Sequence, residues 1–224
     1  TDLAELLVQE TLDLAWQQIV ARHGVPLCGP ADDALREAGA VVVAYGKFGG
    51  IELGYGSDLD LVFLHDSSGE VQRTAGPHVI DNGVFFLRLV QRLVHLLTVH
   101  SAAGRLYEVD TRLRPSGKGG LLVQSIEGFA DYQRTDAWTW EHQALLRSRA
   151  VAGGAGLKNR YESLRVELLR TAVRRQTLRE DVRAMRERMR AELSKSKAGE
   201  FDLKQDAGGI TDVEFLAQYW TLLW

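Results

Sequence analysis

Hydrophobic residues recur at two different spacings along the chain, and the change of spacing predicts where helices and strands lie. In residues 2–22, apolar residues repeat every three or four positions, which predicts an amphipathic helix. Residues 41–44 and 59–64 are short, almost continuously apolar runs, which favours buried strands. Residues 77–99 return to the helical period. The first half of the chain is therefore predicted to mix helices with strands.

The second half shows mainly the helical spacing. Ser125 is a suitable N-cap for a helix that starts at residue 126, and a glycine pair at 153–154 is expected to break the helical run. The predicted helices of this half cover residues 126–134, 138–149, 157–172, 178–194 and 210–224. Shorter elements are a helix at 31–39, a third strand at 105–109 and a fourth strand at 121–123.

This order predicts an α+β protein. A small mixed sheet with flanking helices is expected over residues 1–124, followed by a helical, bundle-like subdomain over residues 125–224. The last predicted helix ends on the mainly apolar residues YWTLLW, without a capping residue. We therefore expect that helix to be truncated and the chain to be a piece of a longer protein.

Composition narrows the classes of protein without selecting one. The chain has 224 residues and a net charge of −3, so no overall basic field argues for a nucleic-acid partner. Its single cysteine, Cys28, excludes an intrachain disulfide and a cysteine-based zinc site. No apolar run reaches the length of a membrane span. We expect a cytoplasmic protein that contacts neither membrane nor nucleic acid.

Two acids stand at the start of the second predicted strand. Asp58 and Asp60 are separated by one residue, so a strand places both carboxylates on one face, roughly 7 Å apart. Asp110 follows the third predicted strand and can supply a further carboxylate. Carboxylates and substrate phosphates are the ligands that Mg²⁺ prefers, and two such ions serve nucleotidyl transfer. The three acids are therefore candidate metal ligands, and Asp110 is also a candidate base. The alternative for Asp110 is an ion pair with a neighbouring arginine.

A glycine-rich turn precedes the acidic pair. It contains Gly46, Lys47, Gly49 and Gly50, and its backbone N–H groups are expected to donate hydrogen bonds to phosphate oxygens, with Lys47 adding a positive charge. The spacing differs from G-x-x-x-x-G-K-[ST], so it does not predict a P-loop. Ser57, directly before the acids, is a further candidate phosphate contact.

Several arginines have two interpretations that the sequence leaves open. Arg112 and Arg114 alternate on a predicted extended segment, so they can grip phosphates or pair with Asp110 or Glu108. The arginine-rich stretch 158–190 is interpreted as a solvated face with interspersed glutamates, or as a docking surface for an acidic partner or for phosphates.

A strand that ends in glycine, a short helix and D-x-D on the next strand resemble the DNA polymerase β-type nucleotidyltransferase superfamily. That superfamily usually has Gly-Ser at the turn, whereas this chain has Gly46-Lys47. The resemblance narrows to glutamine synthetase adenylyltransferases in four blocks. They read AYGKFGGIELGYGSDLDLVFLHD, YEVDTRLRPSGKGGLLV, FADYQRTDAWTWEHQALLRSR and FDLKQDAGGITDVEF.

The resemblance implies transfer of AMP from ATP to a tyrosine of glutamine synthetase, with release of pyrophosphate. It implies two Mg²⁺ ions, held by the three acids, and a triphosphate held by the glycine turn and Ser57. Lys204, Asp212 and Glu214 lie in the last block, so we expect them near the nucleotide; the alternative is that this block is a structural linker. The family also implies a PII-type signal protein as partner. The residues in these blocks favour the adenylylating domain of this two-domain family.

Three alternatives remain open at the level of sequence. The first is the AMP-removing domain of the same family, which would use phosphate to release ADP. The second is a catalytically silent nucleotide-sensing module, against which the intact set of three acids argues. The third is a polymerase-like transferase that acts on nucleic acid, which the net charge disfavours.

Overall fold

The computed structural model describes residues 1–100, 104, 106–194, 196–197 and 199–224. The helices in these ranges are α1 (Asp2–His23), α2 (Gly46–Gly49), α3 (Asn82–Thr98), α4 (Ile126–Thr135), α5 (Thr139–Leu146), α6 (Ala155–Thr171), α7 (Leu178–Leu193) and α8 (Ile210–Leu223). The strands are β1 (Val25–Gly29), β2 (Arg36–Glu37), β3 (Ala40–Ala44), β4 (Leu59–His65), β5 (Val71–Ala75), β6 (Val109–Asp110), β7 (Val123–Ser125) and β8 (Arg149–Gly153). A short 3-10 helix covers Gly117–Gly119.

The strands form two small sheets. The larger one has the order β6-β4-β3-β8, and β7 also pairs with β4. Strand β3 runs antiparallel to β4 and β8, whereas β6 and β7 run parallel to β4, so this sheet is mixed. The other sheet has the antiparallel order β2-β1-β5. The predicted α+β class, with small mixed sheets and flanking helices, is confirmed.

Most predicted elements are present within a few residues of their expected bounds. The predicted helix at 31–39 is wrong, because this stretch forms turns and strand β2, which pairs with β1. The helical prediction for 138–149 and the glycine break after it missed strand β8, which pairs with β3. The third predicted strand began at Arg105, which lies outside the described residues; β6 covers Val109–Asp110.

Local caps explain where two of the helices start. The Asp81 carboxylate accepts a hydrogen bond from the Gly83 N–H at 2.7 Å, so α3 begins at Asn82. The Ser125 hydroxyl accepts one from the Gly128 N–H at 3.0 Å, which confirms Ser125 as the cap of α4. Each side chain satisfies one of the backbone donors that a helix start leaves without an intrahelical partner.

The main core lies between the larger sheet and helices α1 and α3. Phe85 and Phe86 of α3 are fully buried and meet edge to face at 5.3 Å between ring centroids. Phe48 of the four-residue helix α2 is also fully buried in this core. The glycine turn is therefore anchored to the core by an aromatic side chain, and its neighbours are held in place.

The described residues cluster into two compact units. The first contains residues 1–132 and 147–164, and the second contains residues 133–146 and 165–224. The chain therefore passes between the units more than once, whereas the predicted domains were the contiguous segments 1–124 and 125–224. That division into domains stays a prediction.

The second unit has its own small core, built from α7, α8 and the segment before α7. Val173, Leu178, Val182 and Leu222 are its buried members. Across the described parts of the chain, no helix is both long and apolar enough to cross a membrane.

Candidate functional site

The acidic pair stands at the start of β4, in the first unit. Leu59 and Leu61 are fully buried, whereas Asp58 is exposed and Asp60 is half-buried. Because side chains alternate across a strand, the two leucines face the core and the two acids face the opposite side. The structure therefore places Asp58 and Asp60 together on one face, as their spacing predicts.

Strand β6 brings Asp110 beside Asp60. The two strands are parallel, with Leu59 opposite Val109 and Asp60 opposite Asp110, and the Leu59 N–H donates to the Glu108 carbonyl at 2.8 Å. Paired residues of neighbouring strands project to the same face of a sheet. The carboxylates of Asp60 and Asp110 therefore lie side by side, on the face that also carries Asp58.

Crowding of negative charge changes the titration of Asp60. Its pKa is raised to about 6, first by partial burial and then by the charges of Asp110 and Asp58. The positive charges of Arg112 and Lys47 act in the opposite direction but do not cancel the rise. The cluster therefore has an excess of negative charge, which a bound cation would relieve.

Gly46 is required by the position of Asp60. Its φ is +56°, a conformation that side-chain-bearing residues rarely adopt. A Cβ atom there would also lie 2.5 Å from Oδ2 of Asp60. The Tyr45 N–H donates to the Asp60 carbonyl at 2.9 Å, which holds the turn against β4. Glycine at this position therefore lets the turn approach the acid cluster.

The other two glycines of the turn serve packing. The Gly49 N–H donates to the Tyr45 carbonyl and the Gly50 N–H to the Gly46 carbonyl, each at 3.0 Å. These two amides are thus occupied inside the turn, unlike the open phosphate donors that we expected. A Cβ on Gly49 would lie 2.1 Å from the Arg147 carbonyl oxygen, so its absence lets two backbone segments meet. A nucleotide role for Gly49 and Gly50 stays a prediction.

Lys47 and Ser57 flank the cluster. Lys47 is exposed, and its charge acts to lower the pKa of Asp60, which places it within electrostatic reach of the acids. Ser57 is half-buried, and its N–H donates to the Gly54 carbonyl at 3.2 Å. Both positions suit a phosphate contact beside the acids.

Arg112 binds the third acid directly. Its backbone N–H donates to Oδ1 of Asp110 at 2.8 Å, and its Nε donates to Oδ2 at 2.7 Å. Arg114 donates from Nη1 to the Thr111 carbonyl at 2.7 Å and from Nε to the Gly120 carbonyl at 3.2 Å. For Arg112 the ion pair, one of the two interpretations open at the sequence level, is present in the structure.

An open cavity of about 540 Å³ lies beside part of this cluster, and its lining includes Asp58, Asp110, Arg112 and Arg114. Its size falls within the range of small-molecule sites, and acids and arginines stand together on its wall. A polar cavity that offers both charges suits a ligand that carries phosphates together with cations.

The carboxylate oxygens of this site are suitable ligands for Mg²⁺, although their present arrangement does not form a complete coordination shell. In the part of the chain that the structure describes, no three His, Cys, Asp or Glu side chains come together as a metal-binding group. Asp110 is instead paired with Arg112. Mg²⁺ usually takes one or two protein carboxylates and completes its shell with water and phosphate. The raised pKa of Asp60 marks where a cation would be favoured.

Three predicted site residues belong to the second unit. The Lys204 N–H donates to the Asp202 carboxylate at 2.8 Å, and the Lys204 residue is exposed. Asp212 accepts from Nε of Arg186 at 2.5 Å. Glu214 is exposed on α8. The charged partners of Asp212 are thus arginines of its own unit.

Sequence reasoning missed two arginines that hold the glycine turn. Arg147 forms an ion pair with Glu52, and Arg149 donates to the carbonyl oxygens of Phe48 at 3.4 Å and Gly49 at 3.5 Å. They lie about a hundred residues along the chain from the turn. No local pattern could have found them, because strand β8 brings them there.

The fold and this site define a nucleotidyltransferase-like α+β domain, in which a strand, a glycine turn and a second strand carry acids on one face. A family model described as "Glutamate-ammonia ligase adenylyltransferase" matches residues 1–164. The chain belongs to this family, which confirms the resemblance found in the sequence.

Named relatives agree with the family model. A protein of Thioalkalivibrio sulfidiphilus is 52% identical over 222 residues, and one of Shewanella frigidimarina is 51% identical over 222 residues. Both are named "Bifunctional glutamine synthetase adenylyltransferase/adenylyl-removing enzyme". Each alignment covers 99% of this chain but only 23% of the relative. The chain thus spans about a quarter of the length of these relatives.

Proposed function

We propose that this chain transfers AMP from ATP to a tyrosine hydroxyl of glutamine synthetase and releases pyrophosphate. Family membership supports the substrates, because the relatives are named for adding an adenylyl group to glutamine synthetase and for removing one. The pairing of Asp60 with Asp110 across parallel strands, with Asp58 on the same face, supports the chemistry. That register is the observation that carries the proposal.

Mg²⁺ would be held by Asp58, Asp60 and Asp110. Two such ions, when bound, would stabilise the charge on the attacking and leaving oxygens. The excess negative charge around Asp60 supports this assignment.

The chain's own groups bind ATP and handle the proton. Gly46 keeps the turn close to the acids, and Lys47 and Ser57 hold phosphate oxygens beside them. An oxygen of the Asp110 carboxylate accepts the proton of the tyrosine hydroxyl, whose ordinary pKa is about 10. Arg112 must leave Asp110 for this, and it then holds the phosphates that leave. Arg114 lines the same cavity and stays a predicted phosphate contact.

The remaining predictions extend the same proposal. Lys204 of the second unit, together with Gly49 and Gly50, stays a predicted nucleotide contact. A PII-type signal protein is the predicted regulator, and the cytoplasm is the predicted compartment.

The second candidate function is removal of AMP by phosphate. The relatives' names include an adenylyl-removing activity, and the acids would serve either direction. The wording of the blocks around Asp58 and Asp60 favours transfer. A nucleotide-sensing module without catalysis is the third possibility that the experiment must separate.

The experiment is a labelling assay with each state of the substrate. Unmodified glutamine synthetase is incubated with the chain, Mg²⁺ and ATP labelled at the α-phosphate; adenylylated glutamine synthetase is incubated separately with phosphate. We expect label to enter the unmodified protein. Release of ADP from the modified protein alone would assign the chain to AMP removal, and no reaction in either direction would leave only nucleotide sensing.

The variant Asp58→Asn/Asp60→Asn tests the mechanism. We expect labelling to fall by more than about 100-fold, because even an outer partner of a metal ligand contributes 10–100-fold. Asp33→Asn is the matched control, since Asp33 is an exposed acid of the same unit. Retained labelling in the double variant would exclude the acids as the catalytic centre.

A further inference from the structure

The second unit contains a groove between α7 and α8 that the proposed function does not use. It has a volume of about 360 Å³. Arg179, Arg183, Arg186 and Arg190 line it from one face of α7, at successive spacings of four, three and four residues. Residues at these spacings are neighbours on a helix surface, so the groove has a continuous row of guanidinium groups.

Two of these arginines are held in the groove with donors left over. Arg186 is only 6% exposed; its Nε donates to Asp212 at 2.5 Å and its Nη2 to the Gln205 carbonyl at 2.7 Å. Its Nη1 is buried and has no hydrogen-bond partner among the described residues. Nε of Arg190 is likewise buried without a hydrogen-bond partner among the described residues, while its Nη2 donates to Asp212 at 3.2 Å. Buried, unpaired donors on charged groups are costly, and a ligand can satisfy them.

The charges in the groove do not balance. Asp212 is shared between Arg186 and Arg190, and Glu187 pairs with Arg183 at 2.8 Å. These are the acids that line the groove, against four arginines. The arrangement therefore favours an added negative charge, and guanidinium groups match the geometry of carboxylate and phosphate.

The opposite wall of the groove is apolar. Phe215, Leu216 and Tyr219 of α8 line it, together with Val182 of α7. Its volume lies in the range of small-molecule sites. An inorganic ion would leave the apolar surface of this wall exposed to water, whereas a ligand with an apolar body would bury it.

We propose that the α7–α8 groove binds a small organic oxyanion, with its carboxylate or phosphate on Arg186 and Arg190 and its apolar body against Phe215 and Tyr219. This site is independent of the acid cluster in the first unit. The proposal therefore stands or falls separately from the proposed adenylyl transfer.

The test uses the whole 224-residue chain and two probes of one shape, phenyl phosphate and benzoate, with inorganic phosphate for comparison. Binding is followed by titration in heteronuclear NMR, because the amides of Phe215, Leu216 and Tyr219 report on this groove alone. We expect saturable shifts at these amides with at least one aromatic probe and weaker binding of inorganic phosphate. The stronger aromatic probe identifies phosphate or carboxylate as the preferred group.

Three variants localise the binding. Arg186→Met is expected to weaken the preferred probe about tenfold or more, since a hydrogen bond from a charged group is lost. Leu216→Trp is designed to fill the groove while leaving its ion pairs intact, and we expect it to abolish binding. It keeps the test decisive if Arg186→Met folds poorly. Arg188→Met, on the same helix but outside the groove, is the control and should bind normally.

Two outcomes would overturn the proposal. One is the absence of saturable shifts at the three α8 amides with either aromatic probe. The other is equal weakening by Arg188→Met and Arg186→Met, which would mean that the helix attracts anions through its overall charge.

Discussion

The acid cluster of the first unit and the arginine groove of the second shift the pKa of an aspartate in opposite directions. Asp60 stands among like charges, and its pKa is raised to about 6 by partial burial and by Asp110 and Asp58. Asp212 accepts the Gly208 N–H at 2.7 Å and hydrogen bonds from Arg186 and Arg190. The pKa of Asp212 is lowered, first by the Gly208 N–H and also by these arginines.

The two pKa shifts have opposite consequences for stability: the charge of Asp212 stabilises the fold, whereas the charge of Asp60 does not. The negative charge of Asp212 balances a buried arginine, so folding gains from its ionisation. The negative charge of Asp60 is repelled by its neighbours, so folding is weakened by its ionisation. A protein retains such a repulsive cluster where a ligand makes use of it, which agrees with the proposed Mg²⁺ site. The same substitution, aspartate to asparagine, should therefore change stability with opposite signs in the two units.

The largest effect is expected for Asp212→Asn. Arg186, whose side chain is only 7% exposed, loses its balancing charge. We expect the free energy of unfolding in urea to fall by about 2 kcal/mol, below the usual cost of breaking a fully buried pair because Asp212 is partly exposed. The control is Glu187→Gln, since Glu187 also lines the groove but forms an exposed pair with Arg183. It should cost less than about 0.5 kcal/mol. Equal costs for the two variants would contradict the assignment.

A smaller effect of opposite sign is expected for Asp60→Asn in buffer without Mg²⁺ or nucleotide. A pKa shift of two units corresponds to about 3 kcal/mol, which half-burial and screening reduce to a gain of about 1 kcal/mol at pH 7.5. In a chain of this length that raises the melting temperature by about 3 °C. The measurement is thermal unfolding followed by circular dichroism, with Asp33→Asn as the control.

The pH dependence checks the sign for Asp60. Its folded pKa of about 6 lies above the value of about 4 for an unfolded chain, so protonation favours the fold. Wild type and Asp60→Asn should be equally stable below about pH 4, and the variant's advantage should grow until about pH 6 and then stay constant. A lower melting temperature for Asp60→Asn at pH 7.5 would show that the charge of Asp60 stabilises the fold.

The smallest effect is expected for Arg112→Gln, which removes the guanidinium group from the carboxylate of Asp110. Removal of an ion pair whose arginine is largely exposed should tighten Mg²⁺ binding about two- to fivefold, measured by calorimetric titration without nucleotide. Arg73→Gln is the matched control, because Arg73 forms an exposed pair with Asp32 at 2.7 Å in the same unit. If Arg112 also holds phosphates, the KM for ATP should rise in the same variant. Unchanged Mg²⁺ affinity would show that Arg112 does not compete for Asp110.

The fold illustrates what local patterns can and cannot predict. Helices α1, α3 and α7 were predicted because apolar positions recur along each of them. The buried face of α1 was not predicted correctly, because Leu3, Leu6 and Leu14 are exposed while Ala4, Val8 and Leu12 are buried. Strands β1, β5 and β8 were missed, and β1 and β8 show why. Each is five residues long and carries glycine, and each is stabilised by partners far away in the chain, β5 for β1 and β3 for β8. Short strands depend on such pairing more than on their own sequence.

The site divides in the same way. The shared face of Asp58 and Asp60 follows from the two-residue period of a strand, which the sequence alone determines. The placement of Asp110 opposite Asp60 depends on the register of β4 and β6, whose residues lie fifty positions apart. Which arginine would bind Asp110 was also open until Arg112 was seen to hold it.

The sequence by itself determined the class of fold, the acidic pair and the family, because these depend on periodicity and on contiguous motifs. Only the tertiary structure showed what Gly46 and Gly49 of the turn pack against. Gly46 leaves room for the Asp60 carboxylate, and Gly49 for the Arg147 carbonyl. It also showed that four of the arginines of α7 line one groove together with Asp212 and an apolar wall. The physical reason is that charge balance and close approach depend on which distant residues become neighbours, and a local pattern does not record them.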